Sequence, residues 1–456
     1  MFTGSPPSAA PVAVRRRAPR RRPWAVDALA ALAGLGLGIV IALGITAESA
    51  GSLSAAGGAW TFAGRMTGLA GAYAMLVTVL LAGRLPVLER AVGQDRLIAW
   101  HRTLAPAALV LIAVHGVATL LGYAQSAGSG VGAEAWTLLT TLSGVLAATV
   151  GFGALAAAGV TSYRGARRRL AHETWWAIHL YVYLGLALSF SHQLSTGASF
   201  VGHPVARLFW IALWAGTAGI VLAYRVALPV VRSLRHRLRV AQIVAEGPGV
   251  VSVVLTGRRL ERLALSGGQF LHWRFLVRGL WWQAHPYSVS ALPSEGRLRI
   301  TVKDLGDHSA TLARLRPGTL VAVEGPYGAF TVDAVAPRAV LAIAAGVGAT
   351  PVRALLEDLP AGSAPVVVLR GSTHADLPLA EEIDAIARAR GGTVHRLIGP
   401  RESVRLDHWA LRALVPDLRH RDVFVCGPAG FATQILDAAR AAGVPHAQLH
   451  HETFDL

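Results

Sequence analysis

Six apolar stretches dominate the first half of the chain, at about 24–46, 62–83, 99–122, 136–160, 174–194 and 205–228. Each is long enough to cross a bilayer as a helix, because a hydrocarbon core about 30 Å thick takes roughly 20 residues at ~1.5 Å each. In lipid every backbone N–H and C=O must be paired inside its own segment. Six such stretches therefore predict a six-helix transmembrane bundle. Composition agrees, since 53% of the 456 residues are apolar and mean hydropathy is +0.47. Residues 1–23 are rich in Pro, Ala and Arg and are expected to form a disordered basic terminus. The first apolar stretch could be read as a signal peptide, with Arg21-Arg22 as a twin-arginine signal. Its length and the five stretches behind it predict a retained helix instead.

Charge orients the bundle. Arginines cluster before the first stretch, after the second (Arg84, Arg90, Arg96), after the fourth (Arg164, Arg167, Arg168, Arg169) and after the sixth (Arg225, Arg232, Arg235, Arg237, Arg239). The alternate loops, around 47–61, 123–135 and 195–204, carry almost no charge. Positive loops stay inside, so the pattern predicts a multi-pass plasma (inner) membrane protein with both termini cytoplasmic. The formal charge of +17 is carried by arginine, Lys303 being the only lysine. Because the basic runs flank apolar segments, the lipid bilayer is the expected partner and nucleic acid is not.

Four histidines inside these stretches give the bundle a chemistry. His101 and His115 stand 14 residues apart, and His179 and His192 stand 13 apart. Each interval spans roughly 20 Å of helix, so each pair places one imidazole near either edge of the membrane. Facing imidazoles at two depths are what two haem irons require on their axial positions. Ionisable groups within spans are candidates for function. A 14-residue step returns to within about 40° of the same helix face, whereas a 13-residue step lands about 140° away. The second pair is thus expected to need a kink, a π-bulge or an oblique approach. Cys426 is the only cysteine, which excludes an intramolecular disulfide, a cysteine-ligated iron–sulfur cluster and a Cys-x-x-Cys-His haem attachment. Any haem is then b-type. His172 and His203 lie near the membrane edges and match no ligand position, with His203 on the side where an acceptor would arrive.

Past about residue 237 the texture changes. Alternating runs such as 238–244 and 297–302, with Gly/Pro turns between them, predict a small antiparallel β-barrel over 236–335. From 336 to 456, apolar strands at 340–345, 366–369 and 423–425 alternate with helical patterns, which predicts a parallel α/β domain. The turn Gly346-Val347-Gly348-Ala349-Thr350-Pro351 follows a strand and precedes a helix. Such a turn can cradle a pyrophosphate or serve only as a turn. No acidic residue follows where an NAD ribose would want one; the next strand ends in Arg370, followed by Ser372. A cation there suits a 2′-phosphate, favouring NADPH over NADH, or is a solvated strand end. His285-Pro286-Tyr287-Ser288 offers a flat ring and a short hydroxyl, and Glu324-Gly325-Pro326-Tyr327-Gly328 reads as a turn.

The order of these motifs, closed by Cys426-Gly427-Pro428, is similar to that of the ferredoxin–NADP reductase flavoproteins. Behind a membrane segment at 24–230 with four paired histidines, it resembles the ferric reductase and NADPH oxidase superfamily. The resemblance implies a barrel that binds FAD and an α/β domain that binds NADPH or NADH. Tyr287 would then stack on the isoalloxazine, Ser288 would bond near its N5, and His285 and Pro286 would stand beside it. Lys303, Gly306 and Ser309 would lie by the FAD pyrophosphate, with Gly325 and Tyr327 in the same cradle. Gly346, Gly348 and Pro351 would hold nucleotide phosphates, and Cys426 would lie beside the nicotinamide with Gly427 and Pro428. Phe454 would shield the flavin, although Asp455 and Leu456 follow it here. His101, His115, His179 and His192 would ligate two b haems. The function implied is electron transfer from cytosolic NAD(P)H to a small-molecule acceptor outside. A ferric chelate leads; dioxygen, a periplasmic redox partner and a quinone are the alternatives.

Overall fold

The structure, a computed structural model, describes residues 23–49, 51–332, 339–400 and 403–453. The basic terminus, Phe454 and the expected domain boundary at 335/336 lie outside those residues. Two compact units divide the described chain, at 23–227 and 228–456.

The first unit is helical. Its elements are α1 (Pro23–Thr46), α2 (Gly58–Ala82), α3 (Pro86–Val92), α4 (Gln94–Ala127), α5 (Val131–Thr141), α6 (Val145–Ser162), α7 (Arg164–Arg167), α8 (His172–Thr196) and α9 (Pro204–Leu222). Helix α9 runs through a π-helical turn, Ala223–Ala227, into α10 (Leu228–His236). Among the described residues, five helical stretches are long and apolar enough to cross a membrane, namely Val26–Thr46, Gly58–Ala82, Arg96–Ala127, Val145–Ser162 and Pro204–His236. The stretch expected at 174–194 is α8; its three histidines, with two Trp and two Tyr side chains, make it more polar than the others.

The stretch expected as one span at 136–160 is two helices. The break falls at Leu142–Gly144, where Gly144 takes φ +80, a left-handed conformation that ends α5 and restarts the chain as α6. Any Cβ on Gly144 would stand 2.8 Å from the His192 backbone nitrogen, so this turn lies directly against α8. Helix α2 packs along α4, and α6 along α8. The second pair approaches so closely that a Cβ on Gly151 would meet the Gly185 carbonyl oxygen at 2.5 Å. Small residues that admit backbone contact are the usual way helices associate in lipid, where burial of apolar surface drives little.

The second unit begins with α10 and a closed antiparallel barrel. Its strands are β1 (Leu238–Gly247), β2 (Val250–Thr256), β3 (Phe270–Phe275), β4 (His285–Ser294), β5 (Arg297–Lys303) and β6 (Leu320–Tyr327), in the order β1-β2-β5-β4-β3-β6. Period-two alternation turns Leu238, Val253, Leu271, Trp273, Phe275 and Ile300 inward, where each is fully buried. A short helix, α11 (Asp307–Leu312), links β5 to β6.

The α/β part follows as β7 (Ala339–Ala345), α12 (Ala349–Asp358), β8 (Val366–Gly371), α13 (Ala380–Ala389), β9 (Thr393–Ile398), α14 (His408–Leu414), β10 (Arg421–Gly427), α15 (Ala429–Ala441) and β11 (Leu449–Thr453). All neighbours are parallel in the order β11-β10-β7-β8-β9. Strand order reverses between β7 and β10. The crevice at their carboxyl ends is where open α/β sheets take their ligands.

Candidate functional site

In the helical unit the four histidines meet in two pairs. The ring centroids of His101 and His179 lie 6.2 Å apart, and those of His115 and His192 lie 6.4 Å apart. Helix α8 is continuous from 172 to 196, with neither a break nor a π-bulge between its histidines. The rings approach obliquely instead, at interplanar angles of 59° and 37°.

The outer nitrogens of three of the four have polar neighbours. His101 Nδ1 lies 3.0 Å from the Thr78 carbonyl oxygen, and His115 Nδ1 lies 2.7 Å from that of Gly64. A carbonyl only accepts, so in both rings Nδ1 carries the proton and Nε2 keeps the lone pair that a metal takes. His179 Nδ1 is 3.4 Å from the Ser162 hydroxyl, which donates to Ala158 O and accepts from Trp175 Nε1. Trp175 stacks on the His179 ring at 5.1 Å, and the Arg167 guanidinium sits over Trp175 at 4.8 Å. The His192 Nδ1 is buried.

These rings fit a bis-imidazole haem. Metal–imidazole bonds of about 2.0–2.1 Å, plus about 1.2 Å from each nitrogen to its ring centre, would set facing centroids about 6.4–6.6 Å apart. The His115–His192 pair meets that separation, and the His101–His179 pair, at 6.2 Å, lies just inside it. Room for the second pair comes from glycine: a Cβ on Gly68 of α2 would stand 2.6 Å from His115 Nδ1.

In the second unit the motif residues converge at the sheet's carboxyl edge. Ser288 of β4 is 3% exposed, and its hydroxyl donates to Glu452 Oε1 of β11 at 3.3 Å. Cys426, next to last in β10, stands opposite Glu452 in register. Its thiol is fully buried; burial and then the Glu452 carboxylate push it well above its ordinary pKa, so it stays protonated at neutral pH. The Gly346–Gly348 turn abuts this strand, since a Cβ on Gly348 would meet the Cys426 carbonyl oxygen at 2.3 Å. Pro351 is buried in the first turn of α12 that follows. Gly427 and Pro428 lead from β10 into α15.

Tyr287 and His285 share one face of β4 with rings nearly parallel, 6.3 Å apart at 15°. The Tyr287 carbonyl accepts from Trp273 Nε1 at 2.8 Å, and burial raises the phenol's pKa. Pro286, between His285 and Tyr287 in sequence, is exposed. Lys303 is exposed at the end of β5. Beyond it, Gly306 N donates to Asp304 Oδ1 at 3.1 Å, and Ser309 Oγ accepts from Leu305 N at 2.8 Å, which fixes the turn into α11. The Gly325 carbonyl accepts from Arg232 of α10, and the Tyr327 hydroxyl donates to Glu324 at 2.7 Å.

Arg370 is a correction. The sequence predicts a cation exposed at a strand end, ready for a phosphate. The structure leaves the residue 8% exposed and spends its guanidinium on the carbonyls of Gly371, Leu397 (3.3 Å) and Pro400 (3.0 Å). It ties β8 to the end of β9 and presents no free fork. Ser372 is exposed just beyond.

Glu452 is the residue that motif reading misses. It belongs to no motif, and only the β10–β11 pairing brings it to Ser288 and Cys426.

Comparison with known proteins follows the same division. Residues 67–190 match a family model for the "Ferric reductase like transmembrane component", and residues 237–331 match an FAD-binding domain. The first match contains His101, His115 and His179, and His192 lies two residues beyond it. An NADPH oxidoreductase of Mycobacterium tuberculosis is 32% identical over 198 residues, 41% of this chain and 51% of that protein. Ferredoxin–NADP reductase B of Sorangium cellulosum is 30% identical over 190 residues, 37% of this chain and 77% of that protein. Among solved structures, the flavohaem-like FAD/NAD-binding domain of a Vibrio cholerae nitric oxide dioxygenase aligns with 48% of this chain and 98% of its own, at TM-score 0.41 and 24% identity. The chain spans about half the length of the first of these curated relatives.

Proposed function

For this chain, which belongs to the ferric reductase and NADPH oxidase superfamily as a membrane component fused to a flavin reductase module, we propose the role of a transmembrane NAD(P)H oxidoreductase. It oxidises the nicotinamide on the cytoplasmic face and reduces an acceptor on the other. The six spans of 24–230 form the conduit, the barrel holds FAD, and the α/β part holds the nucleotide. When bound, FAD and two b haems supply the conversion of a hydride into single electrons and their passage between the faces.

The chain's own residues position that chemistry. Gly346 and Gly348 let the backbone approach the nucleotide phosphates, and the amides at the start of α12 favour their charge. The crevice between β7 and β10 would then receive the nicotinamide beside the buried Cys426. Tyr287 offers a flat face to the isoalloxazine. The Ser288 hydroxyl, held by Glu452, would stand beside the bound flavin, and Cys426 and Tyr287 would exclude water there. In the bundle, His101 with His179 and His115 with His192 would hold two haem irons; the Thr78 and Gly64 carbonyls accept from Nδ1 of His101 and His115, which would leave Nε2 of each for the metal. The observation that carries the reading is the pair of centroid separations, 6.2 and 6.4 Å, with Nδ1 engaged on the α4 side of both.

Arginine-rich loops orient the conduit with both termini inside. A ferric chelate is the acceptor expected from the family. Anaerobic NADPH should bleach the flavin and sharpen the haem bands of the purified protein. Separate additions of ferric citrate and oxygen then compare acceptors, and faster reoxidation by ferric citrate is expected. In sealed vesicles of verified orientation, NADPH enclosed on the cytoplasmic side should reduce external ferricyanide. Reduction driven by NADPH on the far side alone would invert the topology.

A further inference from the structure

Strand β11 is the shortest of the α/β sheet among the described residues. It is five residues long, lies at the sheet's edge and pairs with β10 alone. Yet it carries Glu452, the partner of the Ser288 hydroxyl. A parallel ladder can shift by two residues without turning any side chain to the other face. At ~3.3 Å per residue such a shift would move Glu452 by roughly 6.6 Å, beyond reach of that hydroxyl. Backbone pairing alone does not forbid it, so side chains must set the register.

Two side chains tie β11 to β10. Gln448, 4% exposed in the turn before β11, donates its amide to the carbonyls of Arg421 at 2.8 Å and Arg419 at 3.2 Å. The His450 ring stacks on Phe424, directly opposite it in register, at 4.6 Å and 23°. Its Nε2 lies 3.2 Å from Oδ1 of Asp422, two residues earlier in β10. A carboxylate only accepts, so Nε2 donates. Asp422 is 1% exposed, and its other oxygen, Oδ2, is buried with no hydrogen-bond partner. Among the described residues, His450 is the one ion-pair partner of this carboxylate. Removing the sole partner of a buried charge is strongly destabilising, so the pair resists separation.

Strand alternation puts this contact in line with the site. Asp422, Phe424 and Cys426 share one face of β10, and His450 and Glu452 share the matching face of β11. A two-residue slip in either direction would break the stack on Phe424 and pull Gln448 off its carbonyls. A slip towards Cys426 would also strand Asp422. We propose that His450, through Asp422, is a positioning residue that sets the register of β11 and so holds Glu452 at the Ser288 hydroxyl; this rests on the role of Ser288 beside the flavin proposed above. His450 acts through Glu452 and not on the flavin or the nicotinamide.

The test is anaerobic stopped-flow reduction of the flavin by NADPH in the full-length, FAD-loaded protein in detergent. His450→Phe keeps a ring on Phe424 and removes the donor. It should slow reduction about tenfold, as loss of a hydrogen bond to a charged group does, with half-saturation by NADPH unchanged. His450→Gln, whose amide can donate to Asp422, should recover most of the rate. In a Glu452→Gln background His450→Phe should cost little more, because substitutions that act through one contact do not add. If His450→Phe does not fold, the same change combined with Asp422→Asn removes the stranded charge and is read in the same way. A rate unchanged by His450→Phe, equal slowing in both backgrounds, or slowing that His450→Gln fails to relieve would overturn the assignment. An unaltered, FAD-loaded protein that neither NADPH nor NADH reduces would instead overturn the proposed function, and this inference with it.

Discussion

The helical unit and the flavin unit assemble their sites in opposite ways. In the bundle, each candidate ligand sits on a long helix at an interval that the sequence displays, and two helices supply all four. In the flavin unit, Ser288, Cys426 and Glu452 come from three strands, and 164 residues separate the bonded pair Ser288 and Glu452. A membrane helix admits few polar groups, so those it keeps stand out. A sheet edge gathers residues by strand order, which local sequence does not reveal. The difference teaches where a physical reading of sequence is strong. It finds functional groups where their burial is expensive and loses them where topology alone makes them neighbours.

Substituting the bundle's histidines is the strongest way to break this contrast. His115→Leu or His192→Leu should reduce transfer to an external acceptor to background, while stopped-flow reduction of the flavin by NADPH persists. Undiminished transfer in both variants would show that the pair lies off the path. The corresponding change in the flavin unit should act on the other half-reaction. Glu452→Gln should slow flavin reduction about tenfold to hundredfold, through loss of the bond that holds the Ser288 hydroxyl, with haem content unchanged. Because the Cys426 thiol is held protonated, its rate should show no limb from a thiolate near neutral pH.

Arg370→Ala should have a smaller effect, and one without nucleotide preference. It leaves the carbonyls of Gly371, Leu397 and Pro400 without their donor. Thermal unfolding should report a loss of about 1–3 kcal/mol, with the KM for NADPH and NADH shifted alike. A rise confined to NADPH would return the guanidinium to the phosphate.

The smallest effect concerns acid stability. Glu382 joins Arg299 of β5 at 2.8 and 2.7 Å to Arg353 of α12 at 2.7 Å. Burial works to raise its pKa, but the bonds and charges of the two arginines prevail and hold it below its ordinary value. A carboxyl depressed in the folded state contributes stability above its unfolded pKa, near 4.3, and loses it as pH falls through the folded value. The side chain is 38% exposed, so solvent screens the contribution. Glu382→Gln should flatten the acid limb of unfolding slightly, and an unchanged limb would assign that limb to other carboxylates.

Much of the architecture is written in the chain, and the misses have physical causes. Apolar length reveals the helical half, and β-alternation followed by strand–helix alternation reveals the other. The stretch at 136–160 hides its break because Ser143-Gly144 lies within an otherwise apolar window, and only the αL turn of Gly144 exposes it. Helical angles leave His192 a kink, a bulge or an oblique approach, and only the packed rings, tilted at 37° and 59°, select the last. Arg370 misleads because a strand-end cation reads the same whether it faces water or folds back onto carbonyls. Glu452 is silent in sequence because its role depends on β11 lying beside β10.

The central claim is that each histidine pair holds one haem. A pyridine haemochrome assay of the purified chain, set against amino-acid quantification, tests it most directly. The account predicts two b-type haems per polypeptide, falling to one in His115→Leu. One haem or none in the unaltered chain would contradict it.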